Sequence, residues 1–251
     1  NTTGDYNVGI GGYALDNNTI GAQNVAIGRC ALKTSLTGND NIGIGAEALC
    51  SNYGGCNNIA IGCKALEDWT GLGSKEGSVA IGACALASIT SAAGNTAVGH
   101  EAGKATTNGD NTAIGYCALR DNTSGEANVA IGYCASKAGT GARHNVGIGF
   151  RALDSSNTCG NVAIGYQAAY NQSSGKCNVV IGCQAMYNGG SGDEFVAVGH
   201  KAGYSNNADF NTAIGSCALY SNTTGTSNLA VGHCSLYANV TASNNVAVGD
   251  E

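Results

Sequence analysis

The sequence predicts an all-β chain, a parallel β-solenoid of about 15 coils. A short sequence motif that ends in glycine, here called the phrase, recurs 15 times along the 251 residues. The copies follow one another at a 16–17-residue period, with a single gap of 20 residues between Gly62 and Gly82. A phrase that fills a chain at a fixed period is a folding unit and not a single site. The closing glycines are Gly11, Gly28, Gly45, Gly62, Gly82, Gly99, Gly115, Gly132, Gly149, Gly165, Gly182, Gly199, Gly215, Gly232 and Gly249.

The three residues before each closing glycine predict a short strand. The last of them is always Ile or Val, the first is usually Val, Ile or Leu, and the middle one is Ala or Gly except at Val180. This period-2 alternation is typical of a strand with branched residues on one face and tiny ones on the other. We expect the branched residues, Ile131 among them, to form the buried column, and the tiny residues such as Ala130 to face outward.

The rest of each coil predicts a glycine corner, a second short strand and a polar turn. Ala, usually followed by Leu, comes three residues after the glycine, which favours the second strand. The glycine, Gly132 for example, is expected where φ is positive or a Cβ lacks space. Asparagines at the start of the phrase favour left-handed turns and ladders along the stack. The extra residues of the longest coil predict an outward loop near 67–74 that carries Trp69.

Composition excludes several classes of protein. The 40 glycines have no three-residue period, which excludes collagen, and proline is absent. The net charge of −6 gives no sign of the positively charged surface that is typical of nucleic-acid-binding proteins. No apolar run approaches the roughly 18 residues of a membrane span, so no membrane insertion is expected. Because the repeats run from Asn7 to Gly249 without polar caps, we expect residues 1–251 to be a single continuous solenoid segment of a longer chain.

Two copies of the phrase carry a resemblance to known repeats. Residues 111–119 read NTAIGYCAL and residues 211–219 read NTAIGSCAL. They resemble the head repeats of trimeric autotransporter adhesins and, more closely, the repeat arrays of phage tail fibres and related virion fibres. The resemblance implies a left-handed parallel β-roll, a homotrimer and a place on the virion surface or the extracellular cell surface. The adhesin heads have shorter coils with Ser where Ala follows here, and 12 cysteines are unusual in either group.

Rings recur at the first position after the closing glycine, and we call this set the aromatic stripe. Rings that repeat once per coil are expected to stack into a ladder. One interpretation is a platform for host-surface glycans or a partner protein. The other, which we favour, is stacking that shields the coil corner or fills a subunit interface. With Trp69, the candidate surface residues are His100, Tyr116, Tyr133, Phe150 and Tyr166.

Cysteines recur at the second position after the glycine, in a slot that other coils fill with Lys or Glu. Such a slot is expected to face solvent or another subunit. Cysteines in adjacent coils would lie about 5 Å apart, which permits either disulfides or thiols packed as small residues. Because no Cys-x-x-Cys pair exists, we expect no zinc site, and no other metal or cofactor is expected. The candidate pairs are Cys117 with Cys134, Cys217 with Cys234, Cys159 with Cys177, and Cys50 with Cys56.

The repeats favour a fibre shaft or an adhesive surface-display segment. One alternative is an enzyme like the left-handed β-helix acyltransferases, but those need three apolar hexads per coil and this chain has one. Another is an ice-binding solenoid, which requires a flat threonine array, whereas Thr occupies the strand slot only at Thr96, Thr112 and Thr212. No recurring triad-like arrangement surrounds the histidines, so no enzymatic activity is expected.

Overall fold

The computed structural model describes residues 2–69, 77–89 and 94–250, and these form an all-β parallel β-solenoid without helices. The chain divides into two compact units, residues 1–127 and residues 128–251. Each unit is a stack of coils in which one strand per coil pairs with the strands of the coils before and after it. The predicted fold class is therefore confirmed.

Every strand is three residues long and ends at the residue before a closing glycine, as predicted. Within each unit the strands pair in parallel and in chain order, with branched residues in register. The 20-residue gap leaves the register intact, because Ile61 pairs with Ile81. The first unit holds β1 (Val8–Ile10), β2 (Val25–Ile27), β3 (Ile42–Ile44), β4 (Ile59–Ile61), β5 (Val79–Ile81), β6 (Thr96–Val98) and β7 (Thr112–Ile114). The second holds β8 (Val129–Ile131), β9 (Val146–Ile148), β10 (Val162–Ile164), β11 (Val179–Ile181), β12 (Val196–Val198), β13 (Thr212–Ile214), β14 (Leu229–Val231) and β15 (Val246–Val248).

The predicted faces of the strands are wrong. The small middle residue points inward, and Ala130 is fully buried while Ile131 is only half-buried. Alternation defines two faces but does not say which one is inside. The inner face has little room, because a Cβ added to Gly43 in β3 would lie 3.2 Å from Cγ of Leu32. An alanine or glycine therefore suits this position, although Val180 is also accommodated there.

The predicted second strand is also wrong, because the residues after the closing glycine form turns. Their backbone adopts positive φ at alternate residues, for example 58° at Cys30 and 48° at Leu32, whereas strands need negative φ. The amides then point alternately to the two neighbouring coils. Cys30 N donates to Gly12 O at 2.9 Å, and Leu32 N donates to Ala48 O at 3.0 Å. The fully buried Ala31 and Leu32 form the second wall of the core.

Buried asparagine side chains form a ladder in each unit, interrupted by Ser78 in the first and by Phe195 in the second, which confirms the predicted structural role. In the first unit the backbone N–H of Asn41 donates to Oδ1 of Asn24 and that of Asn58 donates to Oδ1 of Asn41, both at 3.0 Å. In the second unit the backbone N–H of Asn178 donates to Oδ1 of Asn161 at 3.0 Å. These side chains satisfy buried backbone groups that no strand partner reaches.

The closing glycines form a column that needs both of the properties predicted for it. Gly132 has a φ of +134°, a region that side chains rarely adopt. A Cβ added to Gly132 would lie 2.4 Å from the carbonyl oxygen of Gly149 in the next coil. Residues other than glycine are therefore excluded from this corner, both by the backbone conformation and by the lack of space for a Cβ.

Candidate functional surface

The first and third residues of each strand form an exposed apolar row, here called the aliphatic stripe. These residues are half-buried or exposed in every strand, with Ile164 36% and Ile214 40% exposed in the second unit and Ile114 38% exposed in the first. The strands carry no charged residue. Each unit thus presents uncharged branched side chains to solvent at the regular spacing of its coils.

The aromatic stripe forms stacked rings in both units, as predicted. In the first unit His100 stacks on Tyr116 with ring centroids 5.2 Å apart. In the second unit Phe150 stacks between Tyr133 at 5.1 Å and Tyr166 at 5.3 Å. All five side chains are exposed. The ladder is confirmed, and its role as a ligand platform stays a prediction.

A second ring ladder, which the sequence analysis missed, lies in the second unit, and we call it the tyrosine ladder. Its neighbouring rings stack with centroids 4.9–5.4 Å apart. Arg151 lies 4.6 Å from the centroid of the first ring. The signal was present in the sequence, since Tyr occupies the fifth position after the glycine in five successive coils. The ladder consists of Tyr170, Tyr187, Tyr204, Tyr220 and Tyr237.

Trp69 is fully buried, so its prediction as an exposed surface residue is wrong. Its indole packs into the space beside Gly55, where an added Cβ would meet the ring nitrogen. The physical reason is its slot in the coil, seven residues after the closing glycine. The same slot is filled by the buried Asn52 and Ile89 in neighbouring coils. Residues 70–74 of the predicted loop lie outside the described residues.

The 12 cysteines are all present as thiols, and they differ in burial. Cys117 and Cys134 are buried, which contradicts the expectation that this slot faces solvent or a subunit. They lie in different units. Burial raises the pKa of the Cys50 thiol, which makes it a poorer nucleophile. Disulfide formation in the predicted pairs stays a prediction: Cys217 and Cys234 are half-buried, Cys159 and Cys177 are exposed, and Cys50 and Cys56 are half-buried.

One group of potential metal ligands in the first unit was invisible to sequence reasoning. The ligand atoms of His100, Glu101 and Cys117 all lie within 4.8 Å of one another. The thiol of Cys117 is 3.7 Å from Oε2 of Glu101. The side chain of Lys104 donates to Oε1 of Glu101 at 2.7 Å and lowers the pKa of that carboxyl. Glu101 and Cys117 are 16 residues apart and meet only because one coil stacks on the next.

A chain of polar contacts in the second unit has the order of a nucleophile triad. Oδ1 of Asp250 lies 2.8 Å from Nδ1 of His233, whose Nε2 lies 3.5 Å from Sγ of Cys234. Cys234 also lines a cavity of about 920 Å³ with Cys217. The His233 and Asp250 side chains are 61% and 77% exposed, so water competes for both. We assign no catalytic role to this group.

The fold and the repeats place the chain among β-solenoid repeat proteins. No protein-family model, curated protein or solved structure matches it. Among the described residues there is no helix of the length and apolarity that a membrane span requires. The proposals below therefore depend on the surfaces of the chain itself.

Proposed function

We propose that this chain is a structural segment of a virion fibre or cell-surface adhesin, built from three copies that pack along their aliphatic stripes. The observation that supports it is the stripe itself, which leaves Ile164 and Ile181 more than one-third exposed in the interior of the second unit. Burying the remaining surface of such a side chain contributes roughly 0.5–1 kcal/mol. The contribution is small per residue but recurs twice in every coil, except where Thr96, Thr112 and Thr212 take the first position.

A second copy of the same chain is the partner that fits this surface best. The stripe is uncharged, narrow and periodic, with its residues in register between coils. Only another solenoid of the same coil spacing offers branched side chains at a matching interval along the whole stripe. A globular partner could make contacts at the regular spacing of the stripe over a few coils at most.

Charging the stripe is expected to block assembly without unfolding the coils. We expect the wild-type segment to show the native mass of three chains, and the double variant Ile164→Lys with Ile181→Lys to show that of one. The matched control is Ser174→Lys, which adds a lysine at an exposed turn of the same unit. Circular dichroism checks that each variant is folded. A one-chain mass for the wild type, or an unchanged trimer in the folded double variant, would contradict the proposal.

We propose further that the exposed rings give the fibre an adhesive function toward host-surface glycans. Tyr133 and Tyr166 are about half exposed, and flat rings of this kind stack on sugar faces. On a glycan array the segment is expected to bind at high micromolar concentration, and the double variant Tyr133→Ala with Tyr166→Ala to lose that binding. The control is Tyr53→Ala, an exposed tyrosine outside both ladders. Absence of binding by the wild type would contradict the proposed adhesive function and would leave the proposed shaft function standing.

This proposal places the chain outside the cell or on a virion and gives it no enzymatic turnover. Its supporting observation is that variation concentrates in turns and in the two positions after each glycine, while the core repeats. A solenoid that keeps a fixed core and varies its display positions suits attachment and spacing. Hydrolysis or acyl transfer by the purified segment would contradict it.

A further inference from the structure

The first unit brings three different metal-binding side chains together at one corner of its coils. His100 and Glu101 take the two positions after Gly99, and Cys117 takes the second position after Gly115 in the next coil. The two coils are joined there by a backbone hydrogen bond from Cys117 N to His100 O at 3.0 Å. Their ligand atoms all lie within 4.8 Å of one another.

We propose that His100, Glu101 and Cys117 bind a divalent transition-metal ion, with zinc as the best fit and a water molecule as the fourth ligand. An imidazole nitrogen, a carboxylate and a thiolate are all ligands that zinc accepts in tetrahedral sites. The thiolate and the carboxylate together balance the charge of the ion. Because His100 is exposed, the fourth position opens to solvent.

The distances are close to those that a bound ion requires. Two ligands of a tetrahedral zinc, one sulfur and one oxygen, lie about 3.5 Å apart, and Cys117 Sγ lies 3.7 Å from Oε2 of Glu101. An ion at the centre of a triangle with 4.8 Å sides requires each ligand atom to move by less than about 1 Å. Stacking on Tyr116 restrains the plane of the His100 ring.

The two carboxylate oxygens of Glu101 differ in their contacts, and Oε2 has long ones, with the Cys117 thiol at 3.7 Å and with Arg120 at 3.9 Å. Lys104 contacts Oε1 of Glu101 at 2.7 Å, on the oxygen that does not face the thiol. Nη1 of Arg120 lies 3.9 Å from Oε2, and the guanidinium also interacts with the Cys117 thiol. Its Nε and Nη2 donate to the two carboxylate oxygens of Asp121 at 2.8 and 2.9 Å, so metal binding requires the Nη1 side of the guanidinium to turn away from both ligands. Lys104 can thus hold Glu101 in place as an outer partner while Oε2 binds metal. Binding releases the proton of the Cys117 thiol.

The second unit contains the same corner with one ligand replaced, which provides a matched control. His200, Lys201 and Cys217 occupy the corresponding positions, and Cys217 N donates to His200 O at 2.9 Å. The backbone matches as well, with φ of 55° at Glu101 and 53° at Lys201. Among the three ligand positions only the carboxylate is missing, and an ammonium group stands in its place. Around these positions Tyr204, Ser216 and Tyr220 replace Lys104, Tyr116 and Arg120. This corner is therefore expected to bind no metal.

Cobalt(II) titration of the reduced segment tests the proposal. We expect one cobalt ion per chain, with a thiolate-to-cobalt charge-transfer band. Added zinc should displace the cobalt ion and abolish the band. Cys117→Ser should abolish the band, and His100→Ala and Glu101→Gln should each weaken binding at least about 10-fold. His200→Ala and Cys217→Ser should leave binding unchanged. No binding, or binding that survives Cys117→Ser, would overturn the proposal.

A gain of function provides a second measurement that does not depend on loss of folding. Lys201→Glu supplies the missing carboxylate at the second corner and is expected to raise the stoichiometry from one ion to two, with a second thiolate band of equal size. Lys201→Gln is the control, because it removes the ammonium group without supplying a carboxylate, and it should stay at one ion. If Lys201→Glu also stays at one ion, the glutamate is not a ligand and the proposed site is wrong.

Discussion

Ala163→Asp is expected to unfold the second unit. Ala163 is the fully buried middle residue of β10 and belongs to the hydrophobic core cluster of the second unit. A lone carboxylate buried there without a cationic partner costs several kcal/mol. Because each coil is stabilised by its neighbours, loss of this coil should spread along the unit. The measurement is thermal unfolding followed by circular dichroism.

The next residue of the same strand provides the control. Ile164 points outward and is 36% exposed, so Ile164→Asp keeps its charge in contact with water and should leave the single chain folded, although it weakens the proposed packing of three copies. This contrast tests the inward alanine face directly. A stable Ala163→Asp segment, or an Ile164→Asp segment that unfolds, would show that the assignment of the inner and outer faces is wrong.

The sequence predicts the strands well because their signal is local and repeated. A branched residue before each glycine marks the end of every strand, and register follows from the period. The face could not be derived from alternation alone, although a further signal was present. The middle position accepts only Ala, Gly and once Val180, which indicates a restricted interior, whereas the outer positions accept Val, Ile, Leu and Thr.

The turns after the glycine were beyond sequence reasoning for a different reason. Leu32 and Leu49 have φ near +50°, which costs free energy in isolation and carries no signature in the residue type. The stack offsets that cost, because Leu32 N reaches Ala48 O and Leu49 N reaches Ala65 O in the next coil. Tertiary hydrogen bonds here override local preference.

The surface features were predictable only where one position repeats in consecutive coils. The aromatic stripe and the tyrosine ladder both carry this signal. The burial of Trp69 follows from its slot in the coil, seven residues after the closing glycine, and not from the composition of its loop. The group of His100, Glu101 and Cys117 combines two different slots from two coils, so it needs the stacking of the coils to become visible.

Gly132→Ala is expected to lower the free energy of unfolding of the second unit by about 2–6 kcal/mol, from backbone strain and overpacking combined. The strain arises because φ is +134° at this residue. The overpacking arises because the new Cβ would lie 2.4 Å from the carbonyl oxygen of Gly149, which cannot move without breaking the next corner. Gly132→Val should cost more, since a branched residue tolerates positive φ even less.

A glycine outside the column separates this effect from a general cost of removing glycine. Gly190 lies in an irregular segment of the same unit, and an added Cβ would approach only the side chains of Asn207 and Ser173, at 3.3 and 3.5 Å, and a more distant carbonyl. Gly190→Ala should therefore change stability by less than about 1 kcal/mol. Urea unfolding of both variants compares them on one scale. Equal midpoints for Gly132→Ala and Gly190→Ala would show that the corner tolerates a side chain.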